Sequence, residues 1–212
     1  MAIYQIEQIA KDVRIALDEN HVSDQLVETA DIDTLTLDEI IRSKIVEAVK
    51  RVETDAPTHM LDGGYNFGDA VYWGSKCSGH VLLPRDFMRL IVFKMTDWER
   101  AVYTAISTDD PDYEKQSSRF KGIRGTAQRP VCAIVFRPEG LALEFYSCKS
   151  ESAQVAQAVY LPEPKIDDAG GIDICRRCYT AVVYTAASLT LLTFGASDKS
   201  NALSEIAKSY IQ

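Results

Sequence analysis

An α+β fold is predicted for this chain, with N- and C-terminal helices packed together as a helical bundle and a mainly antiparallel β portion inserted between them. Three observations predict it. Apolar residues recur at helical spacing at both ends, short strand-like runs punctuated by Pro and Gly fill the middle, and a glycine-rich window separates the first helices from the strands. The 212 residues, 46% hydrophobic and 25% charged, suffice to bury a core without disulfides or a metal.

From the N-terminus, Ile3, Ile6, Ile9, Val13, Ala16 and Leu17 predict an amphipathic helix over 3–19. Residues 20–35 are polar and acidic and read as a loop. Thr36-Leu37-Asp38-Glu39 is a capping box, in which the threonine oxygen and the glutamate side chain satisfy exposed N–H groups reciprocally. The helix it starts runs on Ile41, Ile45, Ala48 and Val52 to about Asp55, and Pro57 closes it.

Between Gly63 and Gly79 five glycines alternate with Tyr65, Phe67, Tyr72 and Trp73, which argues against helix and predicts a linking loop that packs aromatics. Strands are expected at Val81–Leu83 and Phe87–Met95, with Pro84-Arg85-Asp86 breaking the ladder. A short helix is expected over Trp98–Ile106. Val131–Phe136 and Leu141–Tyr146 flank Pro138-Glu139-Gly140, a hairpin signature, and Val155–Leu161 is a further strand. After Gly170-Gly171 a helix is expected from about Asp173 to Phe194, stopped by Gly195, and a last one from about Asp198 to Ile211. The expected domains are therefore 1–62 plus 170–212, helical, and 63–169, β-rich and inserted.

Charge is segregated. Of the net −8, all of it lies in residues 1–62, which hold 14 acids and 6 bases, whereas 63–212 hold 17 of each. Lys115, Arg119, Lys121, Arg124, Arg129 and Arg137 follow one another without an intervening acid, directly after Asp109, Asp110, Asp112 and Glu114. Such separation bears on partners rather than on fold. The basic run could meet phosphate, but an acidic chain disfavours nucleic acid as its general partner.

Residues 1–20 lack the continuous apolar run of an export signal, and the five cysteines are an odd number, so reduced thiols in a reducing compartment are expected. Cys178–Ala196 contains no charged residue, yet its tyrosines and threonines fit a helix buried in protein better than a membrane span.

Cys77-Ser-Gly-His80 and Cys175-Arg-Arg-Cys178 each have ligand spacing and could together form a three-thiolate, one-imidazole zinc site. Against this, Cys178 begins an apolar helix face, where a buried thiol behaves as a small hydrophobe, so Cys175 and Cys178 are expected reduced and metal-free. A thioredoxin-like use of the same doublet conflicts with the helical start of the chain. No Gly-x-Ser-x-Gly elbow is present, and the three histidines, His21, His59 and His80, all fall in the first 80 residues. No catalytic constellation emerges, so a non-enzymatic protein without a cofactor is expected.

Two stretches carry a resemblance. Leu83-Pro84-Arg85-Asp86-Phe87-Met88-Arg89-Leu90 resembles the strand entry of tailed-bacteriophage neck proteins. The C-terminal pattern of Tyr179, Ala186-Ala187, Gly195, Ala202-Leu203, Ala207 and Ile211 is similar to the paired terminal helices of head-to-tail connector (adaptor) proteins. The resemblance implies a virion protein, assembled in the host cytoplasm, forming a ring of about twelve copies between portal and tail. DNA would pass through the ring without sequence-specific binding, and no membrane is involved. Ring closure needs two unlike patches on each subunit, and the basic residues Lys115, Arg119, Lys121, Arg124 and Arg129 are the expected neighbour contact, against the acidic 1–62 of the next copy; neutralisation of the two within one subunit is the alternative. A cytoplasmic protein-binding accessory module using its sheet or basic loop, and a zinc or thiol protein using Cys77, His80, Cys175 and Cys178, are the alternatives.

Overall fold

The structure is a computed structural model that describes residues 1–19, 36–120 and 122–212. The acidic loop expected over 20–35, His21 and Lys121 lie outside the described residues. The fold is α+β, and the chain divides into two compact units, Met1–Gly63 with Pro164–Gln212, and Gly64–Glu163.

The first unit holds α1 (Ile6–Glu19), α2 (Leu37–Asp55), α4 (Tyr179–Thr193) and α5 (Ser197–Ser209). α4 packs against α1, α2 and α5, and α1 also packs against α2. Ile9, Val13, Ile41, Ile45, Val49, Val182, Ala186, Leu191 and Leu203 are fully buried there. The capping box forms as expected: Thr36 Oγ1 accepts from the Glu39 N–H at 3.4 Å, and the Thr36 N–H donates to Glu39 Oε2 at 2.8 Å. α4 is apolar on nearly every face because other helices surround it, and no helix among the described residues is long and apolar enough to cross a membrane.

Two expected helix starts are strands instead. Ala2–Gln5 is β1 and pairs antiparallel with β9 (Gly171–Ile174), Ala2 facing Ile174 and Gln5 facing Gly171. Ile3 matched the helical period, yet it is 65% exposed, because pairing with β9 overrides a local preference that one turn of helix cannot enforce. Likewise Gly171–Ile174 is extended. A 3-10 turn at Arg176–Cys178 then leads into α4, which starts six residues later than expected at Asp173. Gly195 stops α4 with φ +74°, a conformation that glycine alone adopts without strain.

The second unit is built from two antiparallel sheets. One orders β2 (Tyr65–Asn66), β8 (Val155–Pro162) and β5 (Phe87–Met95); the other orders β3 (Tyr72–Trp73), β4 (Gly79–Leu82), β7 (Gly140–Phe145) and β6 (Cys132–Arg137). Their inner faces share one core, in which Phe93 meets Phe145 at 6.0 Å and Phe67 at 6.0 Å between ring centroids, and Trp98 packs edge-on to Phe93 at 5.6 Å. Such aromatic pairs contribute ~0.5–1.5 kcal/mol each beyond area burial.

The glycine-aromatic window is thus more than a linker: it supplies an outer strand to each sheet and sends Phe67 into the core. Gly64, at φ +135°, brings the chain so close to β8 that an added Cβ would lie 2.7 Å from the Tyr160 carbonyl oxygen. The hairpin at Pro138-Glu139 forms, with Arg137 opposite Gly140. Trp98–Ile106 is not a helix. Val102 exchanges both backbone bonds with Phe93, and Ile106 bridges Ala133, so sheet contacts take up its backbone groups. A short helix, α3 (Pro111–Lys115), appears instead, with Pro111 in its first turn and Asp110 capping it.

Candidate functional site

The residues singled out as metal ligands divide between the units, Cys77 and His80 in the second and Cys175 and Cys178 in the first. No three His, Cys, Asp or Glu among the described residues are grouped as a metal requires. Each residue has a local role. His80, on β4, stacks on the Tyr72 ring at 5.1 Å and faces Glu144 on β7. Burial holds its imidazole below the ordinary value, and the Arg137 charge adds to this. Cys175 and Cys178 are fully buried, and the Cys175 N–H donates to Glu53 Oε1 at 2.8 Å. Burial, with the Glu53 carboxyl beside it, pushes the Cys175 thiol well above its usual range. The Cys175 thiol is therefore a poor nucleophile at neutral pH. None of the five cysteines forms a disulfide.

A buried polar network lies on the outer face of the four-stranded sheet. Glu144, 9% exposed, accepts from Arg137 Nε at 3.1 Å and Nη2 at 2.5 Å, and its second oxygen accepts from the Tyr146 hydroxyl at 2.5 Å. Burial and the bond to Glu144 raise the Tyr146 phenol far above its ordinary value. Both Glu144 carboxylate oxygens accept hydrogen bonds, which suits a structural clamp better than proton transfer.

The acid-free basic run does not act as one stripe. Lys115 is turned back onto Asp112 at 2.5 Å within α3, and the Arg119 guanidinium lies 5.0 Å over the ring of its neighbour Phe120. Arg129 closes a tight turn with Thr126 through two backbone bonds. Arg124 alone of the described members lines an open cleft of about 490 Å3, whose lining also includes Lys76 and Lys149, cations from two distant segments. Among the described residues, Glu99 is the one carboxylate in that lining. No ion pair engages Lys76, Arg124 or Lys149 among the described residues.

Each wall of the cleft is held in place. Lys76 and Cys77 have φ of 61° and 55° in the β3–β4 connection, which Ser78 ties to Ser75 through its N–H at 3.3 Å and its hydroxyl at 2.6 Å. The Lys149 N–H donates to Asp97 Oδ2 at 2.5 Å, and the Cys77 thiol lies 3.8 Å from the Lys149 carbonyl. Behind Arg124, the buried Gln116 amide oxygen accepts from the Gly125 N–H at 2.8 Å. Cys148 also lines the cleft, and burial pushes its thiol up to about 12. Sequence reasoning missed Lys76 and Lys149 because neither belongs to a charge run. The signal was their proximity to Cys77 and Cys148, which carried no meaning before the strands were paired.

A second cleft of about 720 Å3 runs beside the exposed start of β8 and carries Asp69 and Glu151, the opposite sign. No protein-family model matches the chain, and no curated protein sequence is significantly similar to it.

Proposed function

We propose that this chain is a non-enzymatic assembly protein, a subunit of the ring that joins portal to tail in the neck of a tailed bacteriophage and surrounds the DNA exit channel. The observation that carries the reading is the element order. α1 and α2 from one end and α4 and α5 from the other share one unit, a helical bundle in this reading, and a two-sheet β unit is inserted between them. That is the arrangement implied by the resemblance of residues 80–95 and 172–211 to head-to-tail connector proteins. Segregated charge supports it, because a cyclic contact joins two different surfaces of each subunit.

The test is imaging of the purified protein with and without its portal, together with its native mass. Rings of about twelve copies support the reading. A protein that remains monomeric with the portal present refutes it. Phe136, 85% exposed at the end of edge strand β6, favours the other reading, a protein-binding accessory module, for which the native mass would be that of a monomer or dimer.

A further inference from the structure

The basic cleft of the β unit is the feature that neither the fold nor the ring reading explains by itself. Three cations, from residues 76, 124 and 149, line it without ion pairs among the described residues, and the hydrogen bonds described above hold all three segments. Charges placed this way are normally ordered for a partner, since like charges on one small concave surface repel until an anion arrives.

Two apolar side chains next to Arg124 are also exposed, Phe120 at 58% and Ile123 at 53%. A phosphate backbone has no use for an exposed isoleucine, whereas a polypeptide with both carboxylates and aliphatic side chains would engage both features. This chain contains such a segment. Residues 18–39 hold eight carboxylates and no Lys or Arg. Asp38 is paired with Arg14 at 3.1 Å and Glu39 caps α2, so the relevant acids are Asp24, Glu28, Asp31 and Asp33. Among them stand Val22, Leu26, Val27 and Ile32.

We infer that the cleft lined by Lys76, Arg124 and Lys149 receives the acidic segment 20–33 of a second copy of this chain, with Phe120 and Ile123 taking its aliphatic side chains. The inference rests on the self-assembly part of the ring reading and names its contact. Donor and acceptor are different surfaces, so the contact is heterologous and repeats from copy to copy, as ring closure requires. It also narrows the basic contact: Lys115 and Arg119, held locally, contribute little, and two lysines outside the run contribute more.

The experiment measures self-association of the full-length protein by sedimentation velocity at ~50 mM and ~500 mM salt, where screening differs severalfold in range. R124E/K149E should associate about tenfold more weakly or worse at low salt, with its thermal midpoint unchanged, because exposed charge pairs add little to folding. D24K/E28K/D31K/D33K should show the same loss, and the two sets combined in one chain should restore association. Carbodiimide cross-linking of a mixture of light and heavy isotope-labelled protein should join Lys149 to residues 20–33 across isotopes.

Association of R124E/K149E equal to that of the parent overturns the inference, as do cross-links confined to one isotope, which place the segment in its own chain's cleft. Loss of affinity for a ~20-base-pair duplex without loss of self-association would make the cleft a phosphate site instead. If the double variant still forms rings on the portal, the cleft contact is wrong and the ring reading stands. If the parent forms no assembly with or without the portal, both fall.

Discussion

Leu191 and Leu192 are adjacent in α4, the first fully buried and the second 49% exposed, so the same substitution at each should have opposite consequences. Leu191→Asp removes a buried side chain whose transfer is worth ~1.5–3 kcal/mol and leaves a carboxylate without a partner, which costs several kcal/mol more. The sum approaches the whole margin of a typical domain, ~5–15 kcal/mol. Leu192→Asp exchanges one half-exposed residue for another and should cost ~1 kcal/mol, much of it helix propensity, which applies equally at both positions. Urea denaturation followed by circular dichroism reads the difference. Leu191→Asp should yield no cooperative transition for the helical unit, and the milder Leu191→Ala should lose ~2–5 kcal/mol. If both aspartate variants unfold cooperatively within ~1 kcal/mol of each other, α4 is not the centre of its unit and the packing described for it is wrong.

Glu53 gives a pH prediction: burial raises its carboxyl above the ordinary value despite the Cys175 N–H bond, so the folded state holds the proton more tightly than the unfolded one. Stability from this group is therefore greatest below the unfolded value and falls as pH rises through the folded value, and Glu53→Gln should gain on the parent progressively in urea titrations from pH 4 toward pH 8. Arg137→Met should destabilise the β unit by ~3 kcal/mol by leaving Glu144 partly unpaired, with Glu144→Met added in the same chain recovering most of it; additive losses would contradict the clamp. Gly195→Ala meets no atom within 4 Å, so only its φ of +74° is at stake, and a thermal melt should show a cost of ~1 kcal/mol, less for Gly195→Asn. Cys148, although only half-buried, should react slowly with iodoacetamide at pH 8, because its thiol is pushed up to about 12; rapid labelling would contradict that environment.

Local chemistry was enough to specify several elements. The reciprocal bonds of Thr36 and Glu39, the Pro138-Glu139-Gly140 hairpin and the Gly195 stop each depend on residues within a few positions of one another, and all appear where the sequence placed them. The α+β character was legible for the same reason, since helical and strand periods are properties of short windows. Ala2–Gln5 and Gly171–Ile174 were misread because each is a strand only by virtue of the other, some 170 positions away, and no window contains both. Trp98–Ile106 failed alike, its backbone being taken up by Phe93 and Ala133.

The site divides on the same line. Charge segregation is a sum over the chain and was plain in the sequence, as was Arg124 within its run. That Lys76 and Lys149 line one cleft with Arg124, while Lys115 turns back on Asp112, depends on how three loops close at one end of a sheet. Composition is additive along a chain and survives any fold, whereas the convergence of distant side chains exists only once the strands have paired.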